Sequence, residues 1–268
     1  MTGSPPRHAR AVIIGGGLAG TSIAYHLTRL GWRDVVLLDR ADLTSGSTFH
    51  SAGFVGQLRA SLTLTRMMTY SVELYRKLDR EATEPPGWRE TGGLRLATSE
   101  ERLDELRRQA GGAQTFGLPL ELISPHEAKD RFPLLDLDGV IGASFLPSDG
   151  YIDPSRLCRA LAEGATGGGA AVVTHCRVTG IGVEGGRVRG VETDRGPIDA
   201  DVVVNAGGMY AAQIGRMAGV RVPVVPLLHQ YVVTDQFMGP DEPGERLPTL
   251  RDLDGLIYVR PERNGLAM

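Results

Sequence analysis

Three glycines, Gly15, Gly17 and Gly20, stand at GxGxxG spacing between a β-branched run, residues 11–14, and a helical apolar pattern, residues 18–30. That spacing suits a phosphate-bearing ligand. One glycine permits a tight turn, one lets the backbone approach a pyrophosphate, and one allows close helix packing. The backbone N–H groups of Leu18 and Ala19 would face the phosphates at the positive end of the helix. Asp39 closes the next apolar run about 20 residues after the motif, where a carboxylate can accept hydrogen bonds from a ribose, and Arg40 follows it. The fingerprint indicates a dinucleotide but leaves NAD and FAD open, since both present the same ADP half.

Residues 43–53 follow directly and supply hydroxyls and flexible backbone, with Gly46, Ser47, Thr48 and Gly53 as further cofactor-binding candidates. By residue type alone, His50 in this stretch reads as an ordinary loop histidine. The string GSTFHSAG and the GQLR that follows it resemble the sarcosine and dimethylglycine dehydrogenase family, within the D-amino-acid-oxidase-like flavoproteins. The likeness continues through MMTYSVELYRKL, GWRETGGLRLA, VVNAGGMYA, PLLHQYVVTD and LRDLDGLIYVRPERNGL, nearly the whole chain in family order. The resemblance selects FAD and implies that His50 is bonded to the 8α-methyl of the flavin. A neutral imidazole is nucleophilic enough for that bond. Phe49 departs from the tryptophan of the family pattern but keeps an apolar ring. The resemblance also implies contacts near Val178 to the adenine side and from Ala206 and Gly207 to the dinucleotide.

On the substrate side the resemblance places His229, in HQYVV, and Tyr258, in IYVR, as catalytic groups over the flavin. An amine must lose a proton before its C–H can leave as hydride, and a histidine or a tyrosine-linked network can accept it. By residue pattern alone, His229 reads as a strand histidine and Tyr258 as a core aromatic. Arg59 and Arg260 are the candidates for a bidentate grip on a substrate carboxylate. His8, His26, His126 and His175 are assigned no chemistry. The implied reaction is oxidative N-demethylation of sarcosine, dimethylglycine or a related N-methyl amino acid, the electron acceptor being oxygen or an electron-transfer partner. Two other readings remain: a noncovalent FAD amino-acid oxidase or deaminase of the same fold, and a flavin-binding fragment without turnover.

The elements that must position these residues begin with strand, glycine turn, helix and strand, the last being residues 35–38. This is a βαβ unit with parallel strands. Helical patterns follow over 61–78 and 99–110, with a short strand at 94–97 between them and a break at Pro85-Pro86-Gly87. Ser124-Pro125-His126-Glu127 reads as a capping box, and Asp153-Pro154 as the start of a helix that ends at the glycines 167–169. Strand patterns occupy 171–174, 180–183 and 187–192, the last two joined by a Gly185-Gly186 hairpin, and the run 201–205 returns to the first sheet. The expected architecture is α/β. A Rossmann-like FAD-binding domain, residues 1–88 and 146–219, is interleaved with a mostly antiparallel α+β substrate domain, residues 89–145 and 220–268.

The 268 residues can bury a sizeable core, the charge balance is slightly acidic, and no window is apolar enough to cross a bilayer. The first ten residues resemble neither a secretion signal nor a transit peptide, so a cytoplasmic location is expected. Cys158 and Cys176 lack metal-ligand or disulfide-scaffold spacing and read as reduced thiols, and no metal site is expected. Nearly all cations are arginine, and none form a basic run, which argues against nucleic-acid binding. The family continues beyond the position matching Met268. The resemblance therefore implies a longer protein, in which the rest of the substrate domain, a segment closing on the flavin and a folate-binding region follow.

Overall fold

The computed structural model describes residues 5–239 and 244–268, so the first four residues of the N-terminal stretch lie outside it. The chain opens with β1 (His8–Ile14), α1 (Leu18–Arg29), β2 (Val35–Leu38), β3 (Phe54–Val55) and the long α2 (Leu62–Glu81). It continues with β4 (Gly93–Ala97), α3 (Glu100–Gln114), β5 (Glu121–Ile123), α4 (Pro125–Arg131), β6 (Gly142–Leu146) and β7 (Gly150–Tyr151). Then come α5 (Pro154–Gly167), β8 (Ala171–Val173), β9 (Val178–Glu184), β10 (Arg187–Thr193), β11 (Ile198–Asn205) and α6 (Ala211–Met217). The last three strands are β12 (Thr249–Asp252), β13 (Ile257–Glu262) and β14 (Gly265–Ala267). Among the described residues no helix is long and apolar enough to cross a membrane.

Contacts divide the chain into two compact units. One holds residues 1–51, 78–87 and 153–228, and the other 52–77, 88–152 and 229–268. The break at Gly87 lies beside the boundary expected near residue 88. Residues 52–77, expected with the nucleotide domain, instead belong to the second unit. The cause is local: β3 pairs with β7, and the Gln57 side chain donates to the Ser148 carbonyl at 2.9 Å. Residues 146–152 join that unit through the same ribbon. Residues 220–228 stay with the first unit, where the Val220 N–H donates to the Gly215 carbonyl at 2.9 Å at the end of α6.

The first unit is built on a sheet of order β8-β2-β1-β11-β10-β9. Its first four strands are parallel and its last two antiparallel. β2 and the end of β1, from Ala11 to Ile14, are apolar because both of their faces are covered, as in parallel sheets generally. Val12, Ile14, Val36, Leu38, Ile198 and Ile214 form its core. Helix α1 packs on α5 so closely that a Cβ on Gly164 would stand 2.7 Å from the Tyr25 ring.

The second unit carries a sheet of order β14-β13-β12-β4-β6-β5, antiparallel except for the parallel pair β12 and β4. Alternation sorts its side chains. Leu94, Leu96, Ala143, Leu250 and Val259 share one apolar cluster with Ala128 and Phe132. The opposite register carries Arg95, Ser144, Arg251 and Tyr258.

Helix α5 shows how local chemistry sets a boundary. The Asp153 carboxylate accepts from the N–H groups of Ser155 and Arg156 at 2.8 and 2.9 Å, with Pro154 in the first turn. Asp153→Ala should cost about 1 kcal/mol, the usual value of an N-cap. In urea titrations this should appear as a lower midpoint with an unchanged slope. An unmoved midpoint would show that the cap is energetically silent.

Candidate functional site

The nucleotide fingerprint lies wholly within the first unit, and its three glycines meet three different neighbours. Gly15 has a φ of +118°, and a Cβ there would stand 2.4 Å from the Ala206 carbonyl oxygen. Glycine alone takes such a turn without strain. A Cβ on Gly20 would lie 1.9 Å from the Gly15 carbonyl oxygen, so this glycine lets α1 press onto the turn. Gly17 differs, because its Cβ position meets only the Thr48 hydroxyl, at 3.0 Å. Its other side is open at a helix N-terminus, a cradle that any side chain would fill.

Asp39 fixes this turn. Its carboxylate accepts the Gly16 N–H at 2.6 Å and the Ala41 N–H at 2.8 Å, one on each oxygen. Each oxygen keeps a free lone pair for a ribose hydroxyl. The Leu18 N–H, read from sequence as facing phosphate, donates to the Thr48 hydroxyl at 3.0 Å. Thr48 therefore caps α1 from the loop and keeps its own O–H proton to offer onward. Of the two N–H groups expected at the phosphates, Ala19 is the one that Thr48 leaves. Ser47 and Gly46 lie exposed in the same loop. Sequence reasoning missed Thr44, which is buried at a φ of 70° and donates its N–H to the Gly16 carbonyl at 3.2 Å.

Arg40 lies 4.0 Å above the Tyr210 ring. Ala206 donates its N–H to the Ile14 carbonyl at 2.9 Å, and a Cβ on Gly207 would strike Ile214 at 2.2 Å, so both are held at the end of β1. Val178 is buried at the start of β9, paired with Thr193. His50 is exposed, its ring edge-on to Phe49 at 5.3 Å between centroids. Gly53 belongs to the second unit, where its carbonyl accepts the Ile152 N–H at 3.0 Å. The turn, the open face at Gly17 and the Asp39 carboxylate fit the ADP half of FAD.

The second unit brings His229 and Tyr258 together, with Nε2 2.6 Å from the phenol oxygen and the rings parallel within 6°. His229 lies in an irregular segment, not the strand that its pattern suggested. Phe54 meets Tyr258 edge-on at 5.0 Å. Register extends this group across the sheet. Tyr258 on β13 is opposite Arg251 on β12, Arg251 is beside Arg95 on β4, and Arg95 is opposite Ser144 on β6. Arg95 donates to the Gln109 side-chain oxygen at 2.8 Å and to the Leu58 carbonyl at 3.1 Å.

Asp149 is buried and accepts the Gln57 N–H at 2.8 Å. Burial raises its carboxyl above the usual range, against that hydrogen bond and the attraction of Arg95 and Arg251. Burial pushes the Arg251 guanidinium down to about 10, and repulsion from Arg95 and Arg59 acts in the same direction. Arg251 is still a cation at neutral pH. Of the two arginines singled out from sequence, Arg59 is exposed beside this cluster, while Arg260 is turned onto Glu262 at 2.6 Å and the Pro261 carbonyl at 2.7 Å. Arg95, Arg251 and Asp149 went unnoticed in the sequence. The available signal was an arginine alternating with core leucines in GLRLA and in TLRD.

The profile of the family described as DAO, FAD dependent oxidoreductase, matches residues 10–268. The chain is 39% identical over 98% of its length to dimethylglycine dehydrogenase, mitochondrial, of Rattus norvegicus. It is likewise 39% identical over 98% of its length to sarcosine dehydrogenase, mitochondrial, of Homo sapiens. It spans only 31% and 29% of those two proteins. Among solved structures it is similar to L-proline dehydrogenase from P. horikoshii, at a TM-score of 0.88 and 32% identity, covering 98% of this chain and 70% of that one.

The contrast between the glycines is testable. Gly17→Val should leave the fold intact, since only a hydroxyl lies near the new side chain, yet it should abolish dinucleotide binding by filling the cradle. A purified variant with unchanged circular dichroism and no bound flavin is expected. Parental flavin content would remove Gly17 from the site.

Proposed function

The chain belongs to the DAO family of FAD-dependent oxidoreductases, and from that premise we propose that the full protein oxidatively demethylates sarcosine, dimethylglycine or a related N-methyl amino acid. The observation that carries this reading is the 2.6 Å contact between His229 and Tyr258 on a sheet face that also presents cations. FAD, when bound, supplies the acceptor for the hydride that leaves the N-methyl carbon. Gly15, Gly17, Gly20, Asp39 and Thr48 are the residues that would hold its dinucleotide.

The chain's own task at the reacting end is to remove one proton from the substrate ammonium, so that the nitrogen lone pair can drive the hydride out. If the Tyr258 phenol donates to Nε2, a proton taken up by the phenol oxygen passes on to the imidazole. If Nε2–H donates instead, Nδ1 is the free base. In both tautomers the pair gains one proton, and the Phe54 edge contact holds the phenol ring in place. The resulting iminium adds water and releases formaldehyde and the demethylated amine. The electrons then leave to oxygen or to an electron-transfer partner. A cytoplasmic setting is part of the same proposal, although several similar proteins carry mitochondrial in their names.

His50 is the proposed point of covalent attachment, supported by the GSTFHSAG string and by its position in the loop after β2. A second reading is an amino-acid oxidase or deaminase of the same fold with noncovalent FAD, and the likeness to L-proline dehydrogenase supports its amino-acid substrate.

Two variants of the full protein separate these roles. His229→Asn should slow substrate-dependent flavin reduction by about 10²–10⁴-fold, the size of a lost general base, with the bound-flavin spectrum nearly unchanged. Stopped-flow reduction at the parental rate would refute the role. His50→Ala should release flavin on acid precipitation while the native variant still binds it, whereas the parent should keep a flavin-mass adduct on the peptide containing residue 50. If that peptide is unmodified in the parent, the covalent assignment fails and the second reading replaces it.

A further inference from the structure

The β3–β7 ribbon pairs only Phe54 with Tyr151 and Val55 with Gly150, too little to hold a fixed position by itself. Yet it carries the contact that bears on the reacting pair, the edge of Phe54 on the Tyr258 ring at 5.0 Å. Asp149, only 4% exposed, is what ties it down. Oδ1 accepts the Gln57 N–H at 2.8 Å, three positions beyond Phe54, while the Asp149 carbonyl accepts the Gly92 N–H at 2.9 Å. The Gln57 side chain closes onto Ser148, donating to its carbonyl at 2.9 Å and to its hydroxyl at 2.7 Å. Two glycines make the room: a Cβ on Gly93 would stand 3.0 Å from the Asp149 Cβ, and one on Gly56 would stand 3.4 Å from Oδ2. Burying a carboxyl here is unfavourable, since desolvation raises it above the usual range against the attraction of Arg95 and Arg251. An apolar residue would fill the same space without that cost, but it would leave the Gln57 N–H without this acceptor.

We propose that Asp149 is a positioning residue for the proton-accepting pair: by holding the Gln57 N–H it fixes the ribbon, the ribbon fixes Phe54, and Phe54 fixes Tyr258 against His229. This rests on the demethylation reading above. His229 Nε2 and the Tyr258 phenol oxygen meet at 2.6 Å with their rings parallel, a geometry that a tilt of the phenol would break and that the Phe54 edge contact opposes. Proton transfer depends on that geometry being kept. The Asp149 side chain has two separable parts. Its oxygen serves Gln57 as an acceptor, and its charge serves Arg95 and Arg251 as a counter-ion. An amide keeps the first and gives up the second, whereas a methyl group gives up both.

The test uses the flavin-loaded full protein, with Asp149→Asn, Asp149→Ala, Phe54→Ala and the Asp149→Ala/Phe54→Ala double variant beside the parent. Three quantities are read: the limiting rate of flavin reduction by sarcosine, the melting temperature, and hydrogen exchange in the peptides covering residues 54–58 and 257–259. Asp149→Ala should slow reduction by about 10- to 100-fold, the scale of a small misplacement at a reacting group, and should speed exchange in both peptides. Asp149→Asn should melt below the parent, because Arg95 and Arg251 lose their counter-charge, yet it should reduce flavin near the parental rate and keep both peptides protected. The double variant should match Phe54→Ala alone, since both changes interrupt one chain of contacts. Where Asp149→Ala yields no folded protein, Gly93→Ala displaces the carboxylate instead and carries the same expectation. A rate that follows the melting temperature through the series, Asp149→Asn included, would overturn the assignment, as would losses that multiply in the double variant. Exchange is read without substrate, so the two readings can fail separately. If neither sarcosine nor dimethylglycine reduces the parent, the demethylation reading falls, while faster exchange at 257–259 in Asp149→Ala still ties Asp149 to Tyr258 and unchanged exchange there unties it.

Discussion

Asp39 is the fixed point of the nucleotide-binding unit. Its carboxylate oxygens accept from Gly16 and Ala41, its own N–H donates to the Val173 carbonyl at 3.0 Å, and its carbonyl accepts the Cys176 N–H at 2.8 Å. One residue therefore joins the glycine turn, the end of β2, the end of β8 and the approach to β9. A charged acceptor strengthens the two bonds made by the side chain. Because the turn is held from below, the N-terminus of α1 is presented in one orientation before any ligand arrives, and that lowers the ordering cost of binding. Thr48 then completes the helix end from the loop, so the loop leaving β2 is registered against the same turn.

The sheet of the second unit meets the opposite problem, a set of cations on a face that is partly shut off from water. Burying a guanidinium is tolerable only when its N–H groups find acceptors. Arg95 meets that condition with Gln109 and a backbone carbonyl. Arg251 has no such acceptor among the described residues, and burial lowers the proton affinity of both guanidiniums. The same strands place Leu94, Leu96, Leu250 and Val259 in the apolar cluster, so the polar row cannot slip by one residue without turning those side chains out of the core. Core packing thus sets the register that aligns Arg95, Arg251 and Tyr258.

Legibility in the sequence followed the range of the interactions. The Ser124 capping box, the Asp153 cap and the hairpin at Gly185-Gly186 could be read because each is made by residues a few positions apart, and the β1-α1-β2 unit because its three elements are consecutive. The row Arg95–Arg251–Tyr258 could not, because β4 pairs with a strand from the far end of the chain and nothing local announces the partner. The assignment of 52–77 was hidden for the same reason, since it depends on the β3–β7 ribbon. His229 stands out in the sequence only through resemblance, its surroundings being irregular. The role of Thr48 as a cap was obscured because its helix lies earlier in the chain, whereas most caps adjoin the helix they serve.

The two units divide the chemistry between them. Within the first, the polar contacts around Gly15, Asp39 and Thr48 close on backbone and suit a ligand held by shape and phosphate charge. Within the second, the His229 ring nitrogen meets the Tyr258 phenol, and Arg251 stands opposite Tyr258 across the sheet. Gly20 and Gly17 show why the division matters for interpretation. A side chain at Gly20 would collide with the Gly15 carbonyl and disturb the fold itself, whereas one at Gly17 meets only the Thr48 hydroxyl, at 3.0 Å. Two glycines of one motif therefore report different things when altered: the first reports on the backbone beneath the helix, the second on the loop that carries Thr48. The same logic applies to Arg95, which has its acceptors inside the chain, so its loss would be felt as stability.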